Sequence, residues 1–210
     1  GELLEAQLEK LGLGDKKSVY QKVTNLRGAN KLYDTIHQHK NADVLTVVYN
    51  FVDALSHAKT DTEVVRELAS DDSAYRRLVK TWLEGSPLLK MLQWASKQGF
   101  TVVLTTDHGT VNVHRPSKVV GTKHLTTNLR YKTGNGMSYQ SKHSFVVKDP
   151  SVIGLPKQHI ADECIFALSD LFYVYPNRYN HFVQYYRNTY QHGGVSLEEL
   201  IIPYAVLTSK

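Results

Sequence analysis

Two stretches limit what this chain can become. DVLTVVYN (43 to 50) and FTVVLTT (100 to 106) are near-continuous runs of apolar and β-branched residues. Runs of this kind mark parallel strands covered on both faces, and parallel strands require crossover connections, usually helices. The rest of the chain supplies them. Residues 60 to 98 read as largely helical, split in two at Gly85, Ser86 and Pro87. Residues 2 to 12 put Leu3, Leu4, Leu8 and Leu11 on one helical face. SVYQKV (18 to 23) reads as a strand and residues 26 to 40 as an amphipathic helix. Alternating strands and helices predict an α/β fold, a mostly parallel sheet with helices on both sides.

After Asp107 this alternation dissolves. Short strand-like runs return at SFVVK, CIFAL and LFYVY, followed by an aromatic helix, RYNHFVQYYRN, and a last strand, LIIPYAVL. The charge changes over the same region. Between positions 111 and 160 there are eight basic residues, Arg115, Lys118, Lys123, Arg130, Lys132, Lys142, Lys148 and Lys157, against one acid, Asp149, a net of +7. The remaining residues, 17 basic and 19 acidic, carry −2, so the formal +5 of the chain originates in this one segment. A solvated basic loop and a surface that attracts phosphate both fit it.

The other global features are permissive. A length of 210 residues fits one domain with a sizeable core. The apolar residues fall in runs well short of the roughly 18 needed to span a bilayer, and no signal peptide opens the chain, so the expected location is cytoplasmic and away from the membrane. The single cysteine, Cys164 in ECIFAL, reads as a buried inert thiol. The sequence opens on Gly1, directly into a helix already under way, which reads as an excised piece of a longer protein.

In open α/β sheets, ligands collect beyond the carboxyl ends of the strands. The first apolar strand runs out into FVDALSHA, bringing Asp53 and His57, four apart; the second runs out into Asp107 and His108, with Gly109 allowing the backbone to turn. Carboxylate with imidazole suits a borderline divalent ion such as zinc. Each pair also has a plain reading, a helix start with a surface histidine for one and an ordinary turn for the other. Later, QHGGVSLEEL places His192 before two glycines and a capping-box pattern, Ser196 to Glu199.

DxxxH after one strand, DHG after the next and a late HGG before SLEE resemble, in that order, the metal-ligand pattern of the alkaline phosphatase superfamily. More narrowly, YNFVDALSHA, FTVVLTTDHGT, TTNLRYK, PNRYNHF and QHGGVSLEELIIP resemble a PglZ domain, in the form that ends PorX-like two-component response regulators, over almost the whole chain. The resemblance implies a three-layer α/β/α core of alkaline phosphatase type over residues 1 to 210, with a basic cap-like insertion at 111 to 190. It implies two zinc ions, one held by Asp53, His57 and His192 and the other by Asp107 and His108. It further implies a receiver domain upstream and a phosphodiester substrate; the basic segment favours a nucleotide or oligonucleotide, with Arg130 first, then Lys118 and Lys123, as candidate phosphate contacts, an ordinary solvated loop being the alternative for each. The family pattern also calls for an earlier strand with an acidic ligand and a Thr or Ser nucleophile. No segment before Asp53 has that form, Thr24 lacking the acid. This chain is therefore expected to be catalytically incomplete, with an exposed sheet edge that favours a homodimer. The alternative is a non-catalytic module that binds a partner around a structural metal.

Overall fold

A computed structural model describes residues 1–121, 125–157 and 159–209. They form two compact units, Gly1–Ala58 with Thr62–Leu104 and Ala205–Lys210, and Lys59–Asp61 with Thr105–Tyr204. The cap-like segment expected at 111 to 190 falls wholly inside the second.

The first unit follows the predicted alternation. Helix α1 (Glu2–Lys10) precedes β1 (Ser18–Val23), α2 (Leu26–Thr35), β2 (Val44–Tyr49), α3 (Phe51–Asp61), α4 (Glu63–Leu68), α5 (Asp72–Gly85), α6 (Pro87–Lys97) and β3 (Val102–Thr105). Strands β1 and β2 are parallel, with Ser18 opposite Val44 and Val23 opposite Tyr49. Local chemistry sets the helix ends. The Asn25 side chain accepts from Gly28 N at 2.9 Å and starts α2; Asp71 accepts from Ala74 N at 2.7 Å and starts α5. Pro87, whose missing N–H costs nothing at a first helical position, opens α6. The apolar stripe of α2, Ala29 and Leu32, continues to Ile36 and packs with Val23 and Met91 against Leu45, Val47 and Tyr49. That core uses alternate residues of β2. The full coverage expected from its apolar run is not reached: every β2 residue is only half-buried, and Val103 and Leu104 of β3 are 48% and 44% exposed.

The second unit holds β4 (Val111–Val113), β5 (Arg115–Lys118), β6 (Tyr131–Gly134), β7 (Ser144–Val147), β8 (Glu163–Ala167), β9 (Leu171–Val174), α7 (Tyr179–Tyr186), β10 (Thr189–Gln191) and the single turn α8 (Leu197–Leu200). Strands β5 and β9 are parallel, β4 and β10 antiparallel, and β6, β8 and β7 form an antiparallel sheet with β8 central. The last strand, β11 (Tyr204–Leu207), begins after Pro203 and pairs with β3. Ile165, Ala167, Leu171, Tyr173 and Val119 make one core; Val111, Val113, Phe172 and Val174, covered by Tyr179, Phe182 and Tyr186 of α7, make another. The C-terminal tyrosines are thus mainly packing groups. Cys164 is buried beside Thr133 Oγ1 at 3.1 Å, as an inert thiol would be. Among the described residues no helix is long and apolar enough to cross a membrane.

One basic residue of this unit is interior. Lys132 is 1% exposed, donates to Thr126 O at 2.7 Å and lies 4.4 Å above the Tyr175 ring. Burial pulls its pKa from 10.5 down to about 8. Between those two values the unfolded chain holds a proton that the folded chain has released, so this group makes stability rise with pH there. The stability of Lys132→Met relative to the unsubstituted protein should therefore be highest below pH 8 and fall towards pH 10, as read by urea unfolding at each pH.

Candidate metal-binding residues

In the first unit, α3 starts directly beyond β2 and carries both predicted donors. Asp53 and His57 are one turn apart, and Asp53 Oδ1 lies 3.5 Å from His57 Nε2. Two donors about 2.0–2.2 Å from one ion can be that close, so the pair fits a shared metal. Thr24, directly after β1, lines a cavity of about 430 Å³ with Tyr49, Phe51 and Trp82, the last two rings stacked at 3.6 Å.

In the second unit, Asp107 and His108 lie just past the end of β3. Asp107 Oδ1 accepts from His108 N at 3.1 Å and lies 3.8 Å from His108 Nε2. His108 Nδ1 is 3.0 Å from Gly109 O. A carbonyl only accepts, so that contact puts the ring proton on Nδ1 and leaves Nε2 as the free donor, the arrangement by which metal-binding imidazoles are oriented. His192, between β10 and α8, stacks on His108 with ring centroids 3.8 Å apart and planes 13° apart. A ring nitrogen of each lies within 4.8 Å of the other. The structure thus groups His108 with both Asp107 and His192.

A buried ion pair holds these two histidine-bearing turns together. Arg130 and Glu199 are 0% and 4% exposed. Arg130 Nε donates to Glu199 Oε1 at 2.8 Å and Nη2 to Oε2 at 2.7 Å, the bidentate fork that guanidinium and carboxylate favour. The remaining guanidinium contacts go to the carbonyls of Ala167, Ser169 and Leu171. Glu199 in turn accepts from Gly194 N at 2.9 Å and Ser196 N at 3.0 Å, the latter being the carboxylate half of the predicted capping box. Its own carbonyl accepts from Gly109 N at 2.9 Å. One residue therefore ties the turn after His192 to the turn after His108. Burial alone would raise the Glu199 carboxyl, but Arg130 and the two N–H groups override it and hold it below the usual carboxylate range. Gly194 is required by space: a Cβ there would sit 2.6 Å from Arg130 Nη2 and 2.9 Å from Ala167 O. Asn128 adds a further tie, accepting from Arg130 N at 2.6 Å and donating to His192 O at 3.3 Å.

These contacts correct one expectation. Arg130 is not a surface phosphate clamp, because its guanidinium is enclosed and bonded within the protein. Lys118, at the end of β5, is exposed and remains open to phosphate. Lys123 lies outside the described residues. The role of Glu199 was half visible in the S-x-x-E pattern, but its partner, 69 positions away, carried no local signal.

A family model described as PglZ, the BREX system PglZ alkaline phosphatase-like domain, matches residues 3–208. The chain belongs to the PglZ family. No curated protein matches it. Membership gives the PglZ chain a phosphoesterase-type fold, one that usually binds metals, and the donor pairs within each unit are of the right chemistry for that.

Removing one partner of a buried pair strands the other, at a cost of about 3–5 kcal/mol. Glu199→Gln should lose stability of that order in urea unfolding. Gly194→Ala should also be destabilised, whereas Asp170→Asn, at the solvent-exposed pair with Arg115, should change little. As pH falls through the depressed Glu199 value, the unsubstituted protein should lose the same contribution, and Glu199→Gln should lack that part of the acid sensitivity.

Proposed function

We propose that this PglZ domain is the metal-binding part of a zinc-dependent phosphodiesterase or phosphatase that acts on phosphodiesters such as nucleotides or oligonucleotides. The observation that carries the reading is the His108 and His192 pair: two stacked imidazoles on separate turns, braced by one buried carboxylate, with His108 Nδ1 committed so that Nε2 is free to bind. Enclosing a charged pair to brace two turns is an expensive way to build a loop, and it suits a site that must hold donor atoms still.

In this reading Asp53 and His57 offer zinc ligands from the first unit, and Asp107, His108 and His192 offer them from the second. When bound, the ions supply Lewis acidity at the phosphoryl oxygens and a lowered pKa for water. The chain's own residues do the rest: Asp107 and His108 are fixed by Thr106, Gly109 and Glu199, and Lys118 with the basic segment draws in the anionic substrate. The reaction nucleophile is not assigned to any residue of this chain. The wording of the motifs supports placing the domain as the effector of a signalling response regulator, regulated by an upstream receiver domain.

Zinc measured by mass spectrometry after chelator-free purification tests the site. Near-stoichiometric zinc that is lost in His108→Ala and in His192→Ala supports it; no zinc in the unsubstituted protein overturns it. Because this chain is expected to lack the nucleophile, the catalytic arm uses the longer parent protein: zinc-dependent hydrolysis of bis(p-nitrophenyl) phosphate there that stops in Asp107→Ala supports catalysis, while zinc retained in the parent without turnover favours the partner-binding module.

A further inference from the structure

The β6-β8-β7 sheet has two unlike faces. One carries Lys132, Ile165, Ala167 and Ser144 into the core. On the other, three aromatic residues stand directly opposite one another across the strands: Tyr131 pairs with Phe166, and Phe166 pairs with Phe145. The ring centroids follow at 6.3 and 6.4 Å. Cross-strand aromatic pairs stabilise sheets in general. Here, however, Phe145 is 52% exposed, and a cavity of about 650 Å³ opens over Tyr131 and Phe166, within the range of small-ligand pockets.

The position of this row gives it a direction. Gly193 lines the same cavity, and a Cβ on Gly193 would lie 2.9 Å from Tyr131 Cδ1, so the row begins against the residue that follows His192. Asn135 and His159 add hydrogen-bonding groups to the wall, and Asn135 Nδ2 is itself held by Asp162 Oδ1 at 3.2 Å. Two of the three strands and most of the cavity lining belong to the 111 to 160 segment. Aromatic rings in register on an antiparallel sheet, with a polar edge, are how proteins hold splayed bases of single strands.

We propose that Tyr131, Phe166 and Phe145 form a stacking platform for successive bases of a single-stranded oligonucleotide. Its phosphate chain leaves the platform at Gly193 towards His192. This deepens the phosphodiesterase reading and rests on it for the identity of the anionic chain. The platform selects for bases, so a strand with phosphates but no bases binds poorly.

The test is fluorescence anisotropy with a labelled oligothymidylate of eight nucleotides and an abasic strand of equal length, both in EDTA at low salt. The unsubstituted protein should prefer the base-bearing strand by at least about tenfold, from roughly 1–3 kcal/mol per stacked base. Tyr131→Leu and Phe166→Leu should erase most of that preference while leaving binding of the abasic strand unchanged. Phe145→Ala, at the exposed end and least able to disturb folding, should reduce it. Equal affinity for the two strands, no binding of either, or a preference untouched by Phe145→Ala in a protein with normal thermal unfolding overturns the platform. Zinc content of the unsubstituted protein, measured alongside, separates the two readings. Bound zinc without base preference removes only the platform; base preference without bound zinc removes only the catalytic reading.

Discussion

The second unit turns on a guanidinium and a carboxylate that meet out of water. Arg130 and Glu199 are almost completely enclosed, and such a pair persists only where its remaining donors and acceptors are matched. Carbonyls of the β8 to β9 turn accept from Arg130, and the amides of Gly194 and Ser196 donate to Glu199. The pair therefore fixes several backbone segments at once. Two of them carry His108 and His192, whose rings stack on one another.

The first unit reaches its donor pair by another route. A parallel strand ends, the helix begins within two residues, and an acid and a histidine one turn apart face the same side. No buried charge is involved, and the helix backbone alone sets the spacing. Rigid backbone in one case and an enclosed ion pair in the other produce the same kind of product, carboxylate and imidazole groups held close together.

The antiparallel sheet shows how strand alternation separates two tasks. With a side-chain period of two, each residue turned into the core commits its neighbour to the opposite face. Ile165 is buried and Phe166 is turned out beside Tyr131 and Phe145. Lys132 is the cost of that register: Tyr131 faces outward, so Lys132 is driven inward, where its amine is held by Thr126 O and the Tyr175 ring.

Much of the first unit was legible because its signals are local. A capping Asn or Asp, a proline at a helix start and an apolar run ending in DxxxH each act within a few residues, and β1 and α6 formed where those signals lie. The two donor pairs, Asp53 with His57 and Asp107 with His108, could be named for the same reason. The strands β4, β5, β6 and β10 could not, since each is three or four residues long and exists through a distant partner, as Thr189 does opposite Val113. Arg130 was misread because a charged residue in a basic segment looks solvated until its partner is known. The sequence by itself determined the fold class and the placing of an acid and a histidine beyond each of two strands, because local geometry and residue type suffice for those, and its motifs carried the resemblance to the family. Only the tertiary structure decided which charges are enclosed, which aromatics are exposed and which turns are braced, because desolvation and strand register depend on residues far apart in the chain.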